Sequence, residues 1–520
     1  MRTARALWRS LTSMRTALIL LLLLAVAAVP GSVLPQRSVN PESVNAYLAA
    51  NPGSGRWLDR LWFFDVYSSP WFSAIYLLLF ASLLGCLVPR LRQHFTNLVS
   101  PPPDAPSRLD RLPHSATELT GRDDPPAAAA RLKDGLKGQR WRAVVRDQAD
   151  GTVTVSAEKG YVKETGNLVF HFALLALLVG VALGSWYGWH GNRLVVAGEE
   201  FCNTLIQYDE YGLGARTTAS DLPPFCMTLN DFRAEYLDNG QPVQFTADVS
   251  YVEDPAAAPH AWRLEVNDPL RLDGGNVYLL GHGYAPVLRY TDRYGVTQTS
   301  VSPFLPDDGM LTSSGVAKFP DANVDPTGAK PRDTSAQVAF AGVYLPTLPA
   351  DPSVGKSAFP AERDPALMIV AYQGNLGLGS GIPQSVYELS HPQIASGELK
   401  QVGERMLRPG QTWTLPDGSR LEFVGTRQWI SVSVRHDPGE KIVLFGAGAL
   451  LVGLTVSLSG RRRRVWARIA PSGGASSLIS LGGLARTDYP GFTDEFAKVV
   501  ALAGPPHGTE RPLAVAEKGH

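Results

Sequence analysis

The sequence predicts a membrane protein: four transmembrane α-helices, a large mostly-β extracytoplasmic domain and a small α+β cytoplasmic domain. Three observations predict it. Ala17–Leu34, Trp71–Val88, Leu168–Tyr187 and Ile442–Leu458 are apolar over the roughly 17–25 residues that cross a bilayer, and none contains Asp, Glu, Lys or Arg. Basic residues gather on alternate flanks of these runs. Residues 188–441 are rich in proline, glycine and short β-branched or aromatic runs. A mean hydropathy of −0.04 is too polar for a bundle made only of spans. Lys+Arg 48 balances Asp+Glu 48, which removes the basic excess expected of a nucleic-acid binder. Three cysteines exclude a cysteine-rich zinc scaffold, and the chain has no C-x-x-C-H of its own.

Residues 1–16 form a basic cytoplasmic tail carrying Arg2, Arg5, Arg9 and Arg15. The first span is 17–34. Its AVAA resembles a signal-peptide cleavage site, but the apolar run continues to Leu34, so it is taken as an uncleaved anchor. Residues 35–70 make a short outer loop whose Trp57, Trp62, Phe63 and Phe64 crowd the entry to the second span, 71–88. Arg90 and Arg92 then mark the inner side.

The inner domain, 89–167, begins its regular structure with PPAAAARLKDGLKG, a helix opened by proline and ended near glycine. RWRAVVRD and GTVTVSAEK follow as a hairpin around Ala149-Asp150-Gly151. The third span is 168–187, with Lys159 and Lys163 before it and Trp186, Tyr187 and Trp189 closing it as an aromatic belt. In the outer domain, 188–441, VQFTADVSYV, WRLEV, NVYLLGHGYAPVLRY, RLEFVG and ISVSVRH are strand-like, which predicts a sandwich or open barrel. Residues 302–365 are proline-rich and expected to be loop-rich and partly mobile. The fourth span is 442–458. The tail, 459–520, starts with Arg461 to Arg464 and is expected to be mostly a Gly/Ser linker with one helical piece near Phe492–Leu502. Both termini are thereby placed in the cytoplasm.

His171 is the ionisable side chain within the four apolar runs, roughly 5 Å inside the cytoplasmic edge at about 1.5 Å per residue. It is either a functional group or a polar contact between helices. Gly180 and Gly184 lie about 180° and 220° around the same helix, so a close-packed face is turned away from it. A neutral imidazole in an apolar setting is a good axial ligand for haem iron. With no other histidine in the apolar runs, a second axial imidazole is expected from another chain. His190, at the outer edge, is a ligand-facing or merely interfacial residue. Cys202 and Cys226 share the oxidising side 24 residues apart and suit a disulfide, or a redox pair. Cys86 reads as a small apolar filler, and His282 as a turn or core histidine. No P-loop, G-x-S-x-G or H-E-x-x-H is present, so no catalytic residue is assigned.

RTALILLLLLAVAAVPGSVLPQ, YSSPWFSAIYLLLFASLLGCLVPR, AEKGYVKETGNLVFHFALLALLVGVALG, LPPFCMTLNDF, VNDPLRLDGGNVYLLGHGYAPVL and VRHDPG, in that order, resemble the ResB family. This is the membrane subunit of system II cytochrome c biogenesis. The resemblance runs from about residue 14 to 470, poorly over 302–365. The partner subunit's tryptophan-rich W-W-D motif is missing from this chain. The resemblance implies a bacterial cytoplasmic-membrane protein working with a ResC/CcsA-type subunit. The pair passes haem b to apocytochrome c for covalent attachment, and this chain is a non-catalytic member. His171 would then be the haem axial ligand. Two other classes stay open: a membrane-anchored outer scaffold or sensor without haem handling, and a transporter subunit.

Overall fold

A computed structural model describes residues 2–504 except 38–40, 122, 255, 328–332, 379–384, 474–475, 486–488 and 490. The chain divides into two compact units, Met1–Ala182 with Gly439–His520, and Leu183–Pro438.

In the first unit, an Arg-bearing helix α1 (Arg2–Leu11) leads into α2 (Met14–Val33), whose N-cap Ser13 accepts from the Thr16 amide. After two short helices, Pro41–Ala50 and Ser54–Arg60, comes α3 (Pro70–Val99), capped by Ser69 with Pro70 in its first turn. Then follow α4 (Pro125–Gly138), α5 (Val162–Tyr187), α6 (Glu440–Ser459) and α7 (Gly491–Ala503). Four of these, α2, α3, α5 and α6, are long and apolar enough to cross a membrane. They outrun the apolar windows because helix continues into polar flanks. α3 passes through Pro89 and on to Val99, well beyond Val88. Its far turns are held from outside, since buried His94 Nε2 meets Thr165 Oγ1 of α5 at 3.1 Å.

A five-stranded antiparallel sheet follows the spatial order 114–121, 477–485, 463–471, 153–159, 142–147. The expected hairpin supplies two of its strands and the expected helix is α4. The tail expectation is corrected: Arg463–Pro471 and Ser477–Ala485 are strands in the middle of this sheet, and α7 packs on it. Two of the tail's glycines, Gly482 and Gly483, are close-approach positions. A Cβ on Gly482 would lie 2.5 Å from Leu112, and one on Gly483 2.7 Å from Phe496 of α7. Leu132 and Leu136 of α4 and Phe492 and Val499 of α7 join Val155, Ile469 and Leu481 in one core. Residues 505–520 lie outside the described residues.

The sheet is tied to α5 by a buried ionic cluster. Glu158 is 1 % exposed, and Arg462 donates to both Glu158 and Glu164, with Arg464 3.1 Å from Glu158. Burial pushes the Glu158 carboxyl up, but Arg462, the Tyr161 hydroxyl and Arg464 outweigh it and hold it below the usual carboxylate value.

The second unit is built around two long strands, Gly275–Thr291 and Arg420–His436, paired antiparallel from Asn276–Arg435 to Thr291–Arg420. RLEFVG and ISVSVRH are therefore parts of one strand, bent at Gly425, where φ is 155°. One half of the ribbon packs on the sheet of strands 200–202, 226–236, 242–252 and 260–265, through Ile430, Val432 and Val277 against Leu229, Phe232 and Val249. The other half packs on strands 305–306, 313–319, 338–345, 366–374 and 399–407, through Tyr290 and Phe423 against Phe319, Phe340 and Tyr344. The expected single sandwich or barrel is thus two layered cores sharing a ribbon. The loop-rich expectation over 302–365 holds for most of its described residues, but strands 313–319 and 338–345 there bury Val316, Ala317, Phe319 and Phe340. Their prolines sit mostly between the strands, where no ladder amide is needed.

His282 belongs to the core, mid-strand, and not to a turn. Its Nε2 is 3.0 Å from the Tyr236 hydroxyl, and the rings of Phe245 and Phe232 lie 4.6 and 4.8 Å away. Burial pushes its pKa down to about 4. The unfolded chain takes up this proton near pH 6.5 and the folded one only near 4, so stability is full above about 6.5 and falls as pH drops through that window. Unfolding of the purified protein at pH 5 and 7 should show this loss, about 2 kcal/mol over that interval. His282→Phe should remove most of it, and an unchanged pH slope in that variant would exclude His282 as its source.

Candidate functional site

α5 shows two different faces. Gly166 and Gly180 lie against α6: a Cβ on Gly180 would stand 2.8 Å from Val443, and one on Gly166 2.6 Å from the Ser457 amide. On the α6 side, a Cβ on Gly453 would stand 2.5 Å from the Phe170 amide. Glycine at these positions lets two apolar helices approach to backbone contact.

His171 lies away from this seam, half-buried, with its ring edge-on to Phe170 at 5.2 Å. Its Nδ1 is 2.7 Å from the Asn167 carbonyl oxygen one turn earlier. A carbonyl only accepts, so Nδ1 carries a proton, and in the neutral ring Nε2 then has the lone pair. No protein hydrogen bond to Nε2 occurs among the described residues. A tautomer fixed through Nδ1 with a bare Nε2 is the state in which imidazole binds a metal.

The other expected site residues are not brought to His171's helix. His190 is half-buried in the strand Trp189–Val196 of the second unit, packed so flat on Gly212 that a Cβ there would sit 2.5 Å from the ring. Cys202 and Cys226, paired residues on neighbouring strands, are joined by a disulfide. Glu200 is beside them, and this is the metal-capable group that comes together among the described residues. With both sulfurs bonded to each other, neither offers a thiolate. Cys86 is a free thiol whose Sγ lies 3.2 Å from the Leu83 carbonyl oxygen within α3.

Sequence reasoning missed His94. Ending the second span at Val88, with Arg90 and Arg92 on the inner side, places His94 in the small α+β domain 89–167; α3 instead carries it onward to α5. The side chain is 7 % exposed, and its buried Nδ1 has no hydrogen-bond partner, with Glu164 Oε2 3.7 Å away. The spacing of Leu91, His94, Phe95 and Leu98 at three and four residues was the available signal of continuing helix. His94 is among the residues lining an open apolar cleft of about 710 Å³ along α3, α5 and α6. The four apolar runs themselves hold no histidine besides His171; His94 is reached because α3 continues past Val88.

Comparison with known proteins places these features. Residues 14–497 match the ResB-like family. "Cytochrome c biogenesis protein CcsB" of Gloeobacter violaceus is 25 % identical over 97 % of this chain and 94 % of its own length. Proteins of the same name from Thermosynechococcus vestitus and a Synechococcus species are 24 % and 27 % identical, each over 96 % of this chain and 96 % and 97 % of their own lengths. A match that covers both spans-bearing ends and the whole strand-rich unit leaves one conclusion: the chain belongs to the ResB-like family.

Proposed function

We propose that this chain is the subunit of a system II cytochrome c biogenesis machinery that holds haem in the membrane for delivery to apocytochrome c. The observation that carries this is His171: a neutral imidazole within a membrane-spanning helix, its Nδ1 proton anchored on Asn167 and its Nε2 free for iron. The names of the relatives, which are proteins of cytochrome c biogenesis, supply the pathway. Iron bound to His171 takes its second axial ligand from a ResC/CcsA-type membrane partner. The strand-rich unit faces outward and receives apocytochrome or the partner's loops. Thioether formation uses the apocytochrome's own thiols, so no catalytic residue is assigned here. The absorption spectrum of the purified complex, with and without His171, tests the proposal: the haem band should weaken or shift in the variant, and an identical spectrum would refute the ligand role.

Orientation follows from the basic flanks, with both termini and the α4 sheet in the cytoplasm of a bacterial cell membrane. Cysteine at Asp134, exposed on α4, should resist an impermeant thiol reagent in intact cells, and cysteine at Asp238, exposed in the second unit, should label. Ser156 is unsuitable as a reporter because it is fully buried in a strand. Labelling at Asp134 would put the α4 sheet outside and reverse the orientation.

A further inference from the structure

We propose that α1 (Arg2–Leu11) lies in the plane of the membrane surface and binds acidic phospholipid, with guanidinium groups on the headgroup phosphates and its apolar side among the acyl chains. The inference goes beyond haem handling and does not depend on it. At about 100° per residue, Arg5 and Arg9 stand about 40° apart on one side of the helix. Leu7 and Leu11 also stand about 40° apart, roughly 160° around from the arginines, and Trp8 lies between the two sides. Arginine on one face with leucine and tryptophan away from it is the pattern of helices that rest in the bilayer interface. Leu7 is 72 % exposed and Trp8 55 %, so packing within the chain leaves most of that apolar surface open.

The fold holds α1 at interfacial depth. Ser13, extended at ψ 148°, separates it from the spanning helix α2. The Ser82 hydroxyl of α3 donates to the Leu11 carbonyl oxygen at 2.6 Å. Trp8 and Thr12 close on α3 at Gly85, where a Cβ would stand 3.3 Å from the Trp8 ring and 2.2 Å from Thr12. Gly85 precedes Val88, the last residue of the apolar run, by three positions, about 4.5 Å along the helix. The last turn of α1 is thus fixed just inside the edge of the hydrocarbon, a depth from which long guanidinium side chains reach the headgroups. Arg15 at the start of α2, and Arg90 and Arg92 beyond the apolar run of α3, add to Arg5 and Arg9 at the same end of these two spans. Arg90 Nη2 meets Met14 Sδ at 2.7 Å, and no carboxylate lies within ion-pair distance of any of the five among the described residues. Such a cluster draws acidic headgroups, whereas a helix docking here would want small residues at the contact and no band of charge. Phosphate is an acceptor that the guanidinium fork pairs in two places. A choline headgroup carries the same phosphate with its own cation, so the net charge of the lipid decides.

The test measures which lipid touches α1. The full chain, as Leu7→Cys in a Cys86→Ser background, is labelled with bimane and reconstituted in phosphatidylcholine vesicles containing one quarter phosphatidylglycerol. Brominated acyl chains, carried by one lipid at a time, quench the label on contact. Brominated phosphatidylglycerol should quench more than its share of the bilayer accounts for, and high salt should reduce the excess. Removing two guanidinium charges, in Arg5→Gln/Arg9→Gln, should lower the preference for phosphatidylglycerol by up to about 30-fold. Arg5→Lys/Arg9→Lys keeps the charge and should keep most of the preference. Quenching in simple proportion to each lipid with both arginines present, or an undiminished preference in Arg5→Gln/Arg9→Gln, would overturn the proposal. A preference lost equally in the lysine variant would assign the effect to a disturbed helix and overturn it as well. So would a label that neither lipid quenches, since α1 would then stand in water or under a protein partner.

Discussion

In a strain carrying His171→Ala, c-type cytochromes should fail to mature although the chain still inserts and accumulates. Removing an imidazole from a membrane span does not oppose insertion, since a polar group in hydrocarbon is itself unfavourable. The helix also keeps its seam, because the close contacts with α6 are made by Gly166, Gly180 and Gly453 and not by His171. What disappears is the one nitrogen whose proton is pinned elsewhere and whose lone pair is bare. Loss of an outer-shell partner alone costs a metal site roughly 10–100-fold in affinity; loss of the ligand itself should cost more. Exogenous imidazole, which fits the vacated space, should restore part of the haem band and part of the cytochrome. If His171 were only a contact between helices, Asn or Gln would substitute for it, yield would fall, and imidazole would do nothing. Wild-type cytochrome levels in the Ala strain would exclude the ligand role.

Arg462→Met should cause the largest loss of stability. Arg462 is 11 % exposed and bridges Glu158, itself 1 % exposed, to Glu164. Deleting one member of a buried ion pair strands the other, which typically costs about 3–5 kcal/mol. Arg464, 3.1 Å from Glu158 but more exposed, compensates only in part. The double variant Arg462→Met/Glu158→Gln should recover much of the loss, because no buried charge is then left over. Thermal unfolding of the four proteins of this cycle measures both terms. Two single-variant losses that simply add would show that the pair is not coupled. The paired carboxyl is also acid-sensitive. Its folded pKa lies below the unfolded value, so its contribution is present above about pH 4.5 and is lost as pH falls through the lowered folded value.

Much of the architecture was legible because it depends on local composition. An uncharged apolar run of bilayer length has few alternatives, and the runs 17–34, 71–88, 168–187 and 442–458 each lie almost entirely within one long helix. Helix α4 was readable to the residue from its prolines and its terminal glycine. Errors came where long-range pairing overrides local signals. Glycine-rich SLISLGGLA looks like linker until α7 and Leu112 are laid on Gly482 and Gly483. Prolines between 302 and 365 mask strands 313–319 and 338–345, which pair with each other and with 366–374 across irregular connections. Pro89 looks like a stop, yet α3 continues because its next turns are anchored on α5.

Membrane residence, the place of His171 within a span and its separation from a glycine face were decided by residue order alone, since hydrocarbon penalises charge and a helix repeats every 3.6 residues. Chain order could not decide which nitrogen of His171 carries the proton. That depends on the Asn167 carbonyl lying 2.7 Å from Nδ1 in the folded helix. Nor could it place His94 beside Glu164 and Thr165, since these residues lie about 70 positions apart and meet only when α3 and α5 pack. Contacts of that separation are selected by the whole core, and only the folded chain contains them.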